Sequence, residues 1–320
     1  MDFDPTPGQD ACRAAGRLLG MRLPPAWSAA DVVAAASAAG LTGDGSDCVA
    51  TTLAVEALAA ESAAAAMVLA LHMVVVRTLR GRDTTLRVER GVVGSLSLST
   101  DQIPSIEGEA LTGRASWVGP VSATGVAIVG ARLDGDITAR AVALGAQGVA
   151  LEPIDASGLH GVAWAHVSFA NTPSVSAGAP AEIMALARTL VSAIALGIGS
   201  RALRECLAGA GRYRGAGGEQ TVQGLLADAA TDLDAARLLA WKAASGPGGP
   251  SLADASMAKL AATTAAQGAV VRATQVVGVD SFREGHVIER LTQDVRAIEL
   301  FAGRTEALRE AVAADELPRA

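Results

Sequence analysis

The stretch that decides the fold reads Gln275-Val-Val-Gly278-Val279-Asp280-Ser281-Phe282, then Ile288-Glu289-Arg290-Leu291-Thr-Gln293-Asp294-Val-Arg296, then Phe301-Ala302-Gly303. It lies in the last third of the chain, where breaks rich in Gly and Pro separate long segments rich in Ala and Leu. The breaks at 211–218 and 245–250 leave helices expected over 179–209, 220–244, 251–277, 288–302 and 304–313. Long helices joined by short loops predict a bundle.

Upstream the texture changes. Short β-branched segments at 84–90, 91–99, 110–117, 125–131, 138–144, 149–153 and 162–169 are punctuated by Gly, Pro and Asp every eight to twelve residues. That spacing predicts an antiparallel barrel or sandwich. Residues before it read as helices again. Pro7 and Gln9 open a helix that Pro24-Pro25 stops, and Ser28 is placed to cap one over 29–39 that ends at Gly40. Two more are expected over 50–60 and 62–79. The sequence thus predicts a mostly α, α+β chain in three parts: an N-terminal helical domain over 1–82, a middle β domain over 83–178 and a C-terminal bundle over 179–320.

Composition narrows the function classes. Half the residues are hydrophobic but only 3% are aromatic, so the core is built from Ala, Val and Leu. A net charge of -7 argues against nucleic acid as a partner, because phosphate binding needs a basic face. The most apolar run, 63–76, is interrupted by His72 and falls short of the roughly 18 residues of a membrane span; no span is expected. Met1 to Pro7 has no apolar signal core, and Cys12, Cys48 and Cys206 have no metal-ligand spacing, so a cytoplasmic setting is expected. Gly197-Ile-Gly199 lies inside a helical pattern and reads as close helix packing, not a nucleotide loop. The histidines at 72, 160, 166 and 286 are scattered.

The C-terminal stretch supplies what local motifs do not. It resembles the end of the FAD-dependent acyl-CoA dehydrogenase family, where Gln-x-x-Gly-Gly-x-Gly-Phe/Tyr is followed by Glu-Arg/Lys-Leu-x-Arg-Asp and then Tyr-Glu-Gly-Thr, and the spacing matches without a gap. Gln220-Thr-Val-Gln-Gly-Leu-Leu-Ala-Asp228 and Ala258-Lys259 resemble the helices before it. In the middle region Gly113-Arg-Ala-Ser-Trp117-Val-Gly119 is similar to the Gly-x-Lys-x-Trp-Ile-Thr/Ser strand that lies against the flavin.

The resemblance implies FAD as cofactor, an acyl-CoA substrate and an electron-transfer acceptor, with Trp117, Gly119, Arg212, Gln220, Gln275 and Gly278 at the cofactor positions. It also exposes losses. Family chemistry needs a buried carboxylate to take the proton α to the thioester, help worth ~10²–10⁴-fold. The usual base position is Ala302; the alternative position, on the first long helix of the bundle, is Ala187, with the following arginine kept as Arg188. Val279 and Ser281 replace glycines, Gly119 replaces a flavin-side hydroxyl, and the Arg212 loop is shortened. The chain is therefore similar to the degenerate subunit of α2β2 actinobacterial steroid-degrading dehydrogenases, which pairs with a full-length subunit. Two alternatives remain at this stage. A carboxylate such as Glu299, one turn before Ala302, or Asp280 could act as a relocated base in a self-sufficient enzyme, or the chain is a non-catalytic scaffold.

Overall fold

Residues 4–43, 47–80, 82, 86, 88, 92–98, 101–212 and 219–317 are described by the structure, a computed structural model. The chain opens with four helices: α1 (Pro7–Arg22), α2 (Ala29–Ala38), α3 (Cys48–Ala59) and α4 (Ala63–Leu79). Their starts follow from side-chain chemistry. Thr6 and Gln9, and again Ser28 and Asp31, exchange side-chain and backbone hydrogen bonds, so each pair satisfies donors the first turn leaves free. The Ser62 hydroxyl caps α4, whose Leu71, Met73 and Val74 are buried almost completely.

The middle of the chain holds eight strands among the described residues: β1 (Gly94–Ser97), β2 (Ser105–Glu107), β3 (Ala110–Val118), β4 (Val126–Leu133), β5 (Asp136–Ala143), β6 (Val149–Ile154), β7 (Trp164–Pro173) and β8 (Val175–Gly178). The strand expected at 84–90 falls largely outside the described residues. The short strands β2 and β8 were not expected. The sheet order is β6-β7-β3-β2-β4-β5-β8, with β1 on β4.

The expected purely antiparallel sheet is corrected in one respect: β1 runs parallel to β4, pairing Gly94 with Val126, and β2 bridges β4 in the same sense. Antiparallel pairing follows from tight hairpins, such as the Asp134-Gly135 turn that joins β4 to β5, both residues at positive φ. β1 arrives from α4 with no hairpin to β4, so nothing imposes that direction on it. Ile106, Leu111, Val129, Val142 and Val167 fill a core belonging to the sheet, while a larger core joins the helices to its other face.

The C-terminal helices are α5 (Pro180–Arg212), α6 (Gln220–Ala244), α7 (Leu252–Val277), α8 (Val287–Leu300) and α9 (Thr305–Glu316), with a 3-10 turn at Gly278–Phe282 between α7 and α8. By length and composition α5 could cross a membrane, yet 83% of its most apolar window is buried in the protein. It is the central helix of the bundle. Gly197 and Gly199 make that packing feasible: a Cβ would lie 2.4 Å from the Glu56 carbonyl oxygen at the first and 2.4 Å from Leu233 at the second. Arg188 meets Ser256 near the starts of α5 and α7, and Gly209 packs on Val277 near their ends. The two helices therefore run parallel, and α6 returns between them. Positions 256 and 277 are separated by about 30 Å of helix at 1.5 Å per residue. That gives the bundle two distinct ends.

Candidate functional site

At the first end the chain builds the turn Phe301–Arg304 between α8 and α9, with Ala302 at φ 58 and Gly303 at φ 107. The last carbonyls of a helix have no partner within it. Here a neighbouring helix supplies one: Lys259 of α7, with no exposed surface, donates to Glu299 O at 2.9 Å and Gly303 O at 2.7 Å. Arg188 of α5 donates through Nε to Ala302 O at 3.0 Å and through Nη1 to the Ser256 hydroxyl at 2.6 Å. Burial lowers the pKa of both cations, and that of Lys259 falls to about 7, pushed further by Arg188 and opposed by Glu299.

Neither expected base position carries an acid. Ala187 is 1% exposed, on α5 next to Arg188, and Ala302 presents only a methyl. The Glu299 carboxylate is engaged within the bundle, accepting from the Gln267 amide at 2.6 Å and from the Thr305 hydroxyl at 3.4 Å. Asp280 lies exposed in the 3-10 turn, at the other end.

Three aromatic rings connect this turn to the sheet. Trp117 stands in a register shift of β3, between Ala115 and Val118, at φ 53 and 46% exposed. Its ring meets Trp164 of β7 edge-on, 6.2 Å between centroids, and Trp164 in turn packs on Phe301 at 5.5 Å. Trp164 is 4% exposed, and a Cβ placed on Gly119 would lie 2.3 Å from its Cε3. The loop ahead of Trp164 is fixed by Asp294 of α8, which accepts the Leu159 N–H at 2.6 Å and whose pKa burial raises.

At the other end lie the remaining cofactor candidates. Gln220 is exposed at the first residue of α6 and Gln275 is exposed near the end of α7. Gly278 adopts φ 71, a conformation that suits glycine, and a Cβ there would meet nothing within 4 Å. Val279 is 83% and Phe282 77% exposed, while Ser281 is buried and donates to Gly278 O, closing the turn. The side chain of Arg212 and the loop after it lie outside the described residues.

The structure thus joins Arg188, Ala302 and, through the rings, Trp117 and Gly119, and sets Gln220, Gln275 and Gly278 apart. Sequence reasoning missed Trp164, Ser256 and the role of Lys259. One signal for the lysine was available: the chain has two lysines, and this one stands in an apolar helical run.

Helices, a mixed sheet and a helical bundle, joined at an aromatic seam, define the acyl-CoA dehydrogenase fold. Butyryl-CoA dehydrogenase from Megasphaera elsdenii superposes with a TM-score of 0.88 over 99% of this chain and 100% of its own, at 22% identity. Residues 179–317 match the model of the acyl-CoA dehydrogenase C-terminal domain. That bundle is therefore similar to the C-terminal domain of the acyl-CoA dehydrogenase family, and the whole chain shares the family's fold. Two curated relatives agree: 3-sulfinopropanoyl-CoA desulfinase of Paraburkholderia xenovorans strain LB400 is 39% identical over 29% of this chain, and the human mitochondrial short-chain specific acyl-CoA dehydrogenase is 34% identical over 41%. The matched segments span 24% and 34% of those proteins.

FAD is the cofactor that the similarity to this family implies. The residues of this chain do not fit its ring in the family's manner: the space facing Gly119, where the family sets a hydroxyl toward the flavin, is occupied by Trp164.

Proposed function

We propose that this chain is the complementing subunit of a heteromeric FAD-dependent acyl-CoA dehydrogenase. In this reading it lacks its own base and completes the active site of a full-length partner subunit, with an electron-transfer protein as acceptor. The observation that carries the proposal is the turn at Ala302. Its backbone is held by Arg188 and Lys259, yet it bears a methyl where α-proton abstraction needs a carboxylate, and the nearby Glu299 is bonded to Gln267. The distance between the two ends of the bundle supports the same reading, because Gln275, Gly278 and Val279 are free to meet another chain's cofactor. A ring-bearing acyl-CoA from steroid or lipid breakdown is the substrate we favour, from the subfamily resemblance, and the cytoplasm the compartment.

The test is to express the chain alone and together with a full-length dehydrogenase encoded beside it, recording flavin absorbance and acyl-CoA desaturation with an artificial electron acceptor. Flavin and activity should arise only on co-expression. A yellow, active preparation of this chain alone would refute the proposal, and flavin-free protein from both preparations would favour a scaffold instead.

A further inference from the structure

We infer that Trp164 occupies the place a flavin ring takes in this fold, so that the chain's own cleft is sealed by an internal aromatic plug. The inference rests on the family assignment but not on any partner subunit. Three observations converge on it. The strand β3 brings Trp117 and Gly119 to the seam between sheet and bundle, the positions at which the family meets its flavin. From β7, the neighbouring antiparallel strand that pairs Ala165 with Val118, the Trp164 indole reaches across into that seam and is 4% exposed, with its six-membered ring over Gly119: a Cβ there would come within 2.3 Å of Cε3 and 2.5 Å of Cζ3. Phe301, the residue before the vacated base position, closes the far side at 5.5 Å, tilted by 48°.

The rings form one contiguous row running from β3 through β7 to the α8–α9 turn, held by an edge-on and a tilted aromatic contact. Indole has about the thickness and planarity of the ring system it replaces, which makes it an effective filler. Absence of a side chain at Gly119 is then required by the plug, because any substituent collides with a buried ring that Phe301 and Trp117 keep from turning away. Loss of the hydroxyl and gain of the tryptophan are two parts of one change.

Two measurements on the full chain test this. In the first, stability is followed by thermal unfolding for Gly119→Ser, Trp164→Ala and the double variant. The serine should lower the midpoint strongly in the wild-type background and little once Trp164 is alanine, since residues in contact couple. Equal effects in both backgrounds would overturn the inference. In the second, lumiflavin, the ring system without its nucleotide, is titrated and its fluorescence followed. Wild-type protein should leave the dye unquenched. Trp164→Gly opens an apolar slot beside Trp117 and Phe301, and such a cavity binds flat aromatics, so affinity should rise at least about tenfold. Quenching of lumiflavin by wild-type protein as strong as by the variant refutes the plug, as does a folded variant that binds none. Either outcome leaves the co-expression test of the complex to be decided separately by activity.

Discussion

Lys259 offers a sharp test of how the turn at Phe301–Arg304 is built. Its amine is the donor to the last carbonyls of α8 and the following turn, and it is completely buried. Replacing it by methionine keeps the length and volume and removes both hydrogen bonds. Each buried carbonyl left without a donor costs about 1–3 kcal/mol. Against that stands the charge. Burial and the Arg188 guanidinium bring the pKa from 10.5 to about 7 in the folded protein. Between pH 7 and about 10.4 the unfolded chain therefore binds a proton that the native state lacks, and stability must rise with pH by about 1.4 kcal/mol per unit.

A neutral amine still has two N–H groups for two carbonyls, so deprotonation leaves the bonds in place. Over the whole window the gain approaches ~5 kcal/mol. Near pH 7, then, Lys259→Met loses its hydrogen bonds but sheds a charge penalty of similar size, and should be close to wild type. Near pH 10 only the loss remains, and the variant should be less stable by about 2–6 kcal/mol. Urea unfolding of both proteins at half-unit steps from pH 7 to 10 gives the difference curve, in which Cys48, Cys206 and other titrating groups cancel. Parallel curves would mean that Lys259 stays charged throughout, and the account of the buried amine would be wrong.

Other predictions follow the same chemistry. His72 lies buried between α4 and β1, its Nδ1 accepting the Gly94 N–H at 3.2 Å, and burial pulls its pKa down to about 4. Because the folded value is depressed, stability should fall as pH drops from about 6.5 to 4, by up to ~3 kcal/mol, and His72→Gln should abolish that dependence in urea titrations. Arg188→Met should cost about 1–3 kcal/mol by leaving Ala302 O without its donor, while the Ser256 hydroxyl keeps its bond to Leu252 O, and Arg188→Lys should not rescue it, since lysine lacks the planar fork; thermal unfolding decides. Ala302→Glu returns an acid to the turn, yet the purified single chain should remain without acyl-CoA desaturation while Trp164 fills the cleft. Activity in that variant alone would mean the cleft holds flavin after all.

How much of this was legible in the sequence depended on range. Helix starts were readable because caps are local: Thr6 with Gln9 and Ser28 with Asp31 act within one turn. The alanines at 187 and 302 could be read directly, but their role as base positions is what the resemblance implies, and the fold alone does not assign it. The parallel pairing of β1 with β4 was not readable, since strand direction is set by a distant connection rather than by alternation along the strand. Trp164 escaped for a similar reason: at the start of a β segment it looks like any buried aromatic. Only when β3, β7 and the α8–α9 turn are brought together does its ring lie over Gly119.

The turn itself argues against simple decay. Two cations, Arg188 and Lys259, are buried there, at a desolvation cost that an apolar side chain would not carry. What the cations provide instead is direction. Each ends on main-chain carbonyls of the segment from Glu299 to Gly303, and together they hold Ala302 and Gly303 at positive φ. A left-handed alanine costs roughly 1–2 kcal/mol, and a chain freed from every constraint at this site has no reason to keep one. Chemistry and shape have therefore separated. In the proposed reading the acid is gone and the ring space is filled, while the backbone path of the turn is still enforced from two helices. A constraint that outlasts the chain's own reaction is what a surface shared with a catalytic partner would impose. The Lys259 and Arg188 variants carry that idea into the complex: if the turn serves the partner, both should weaken co-purification or partner activity at a pH where the isolated chain stays folded.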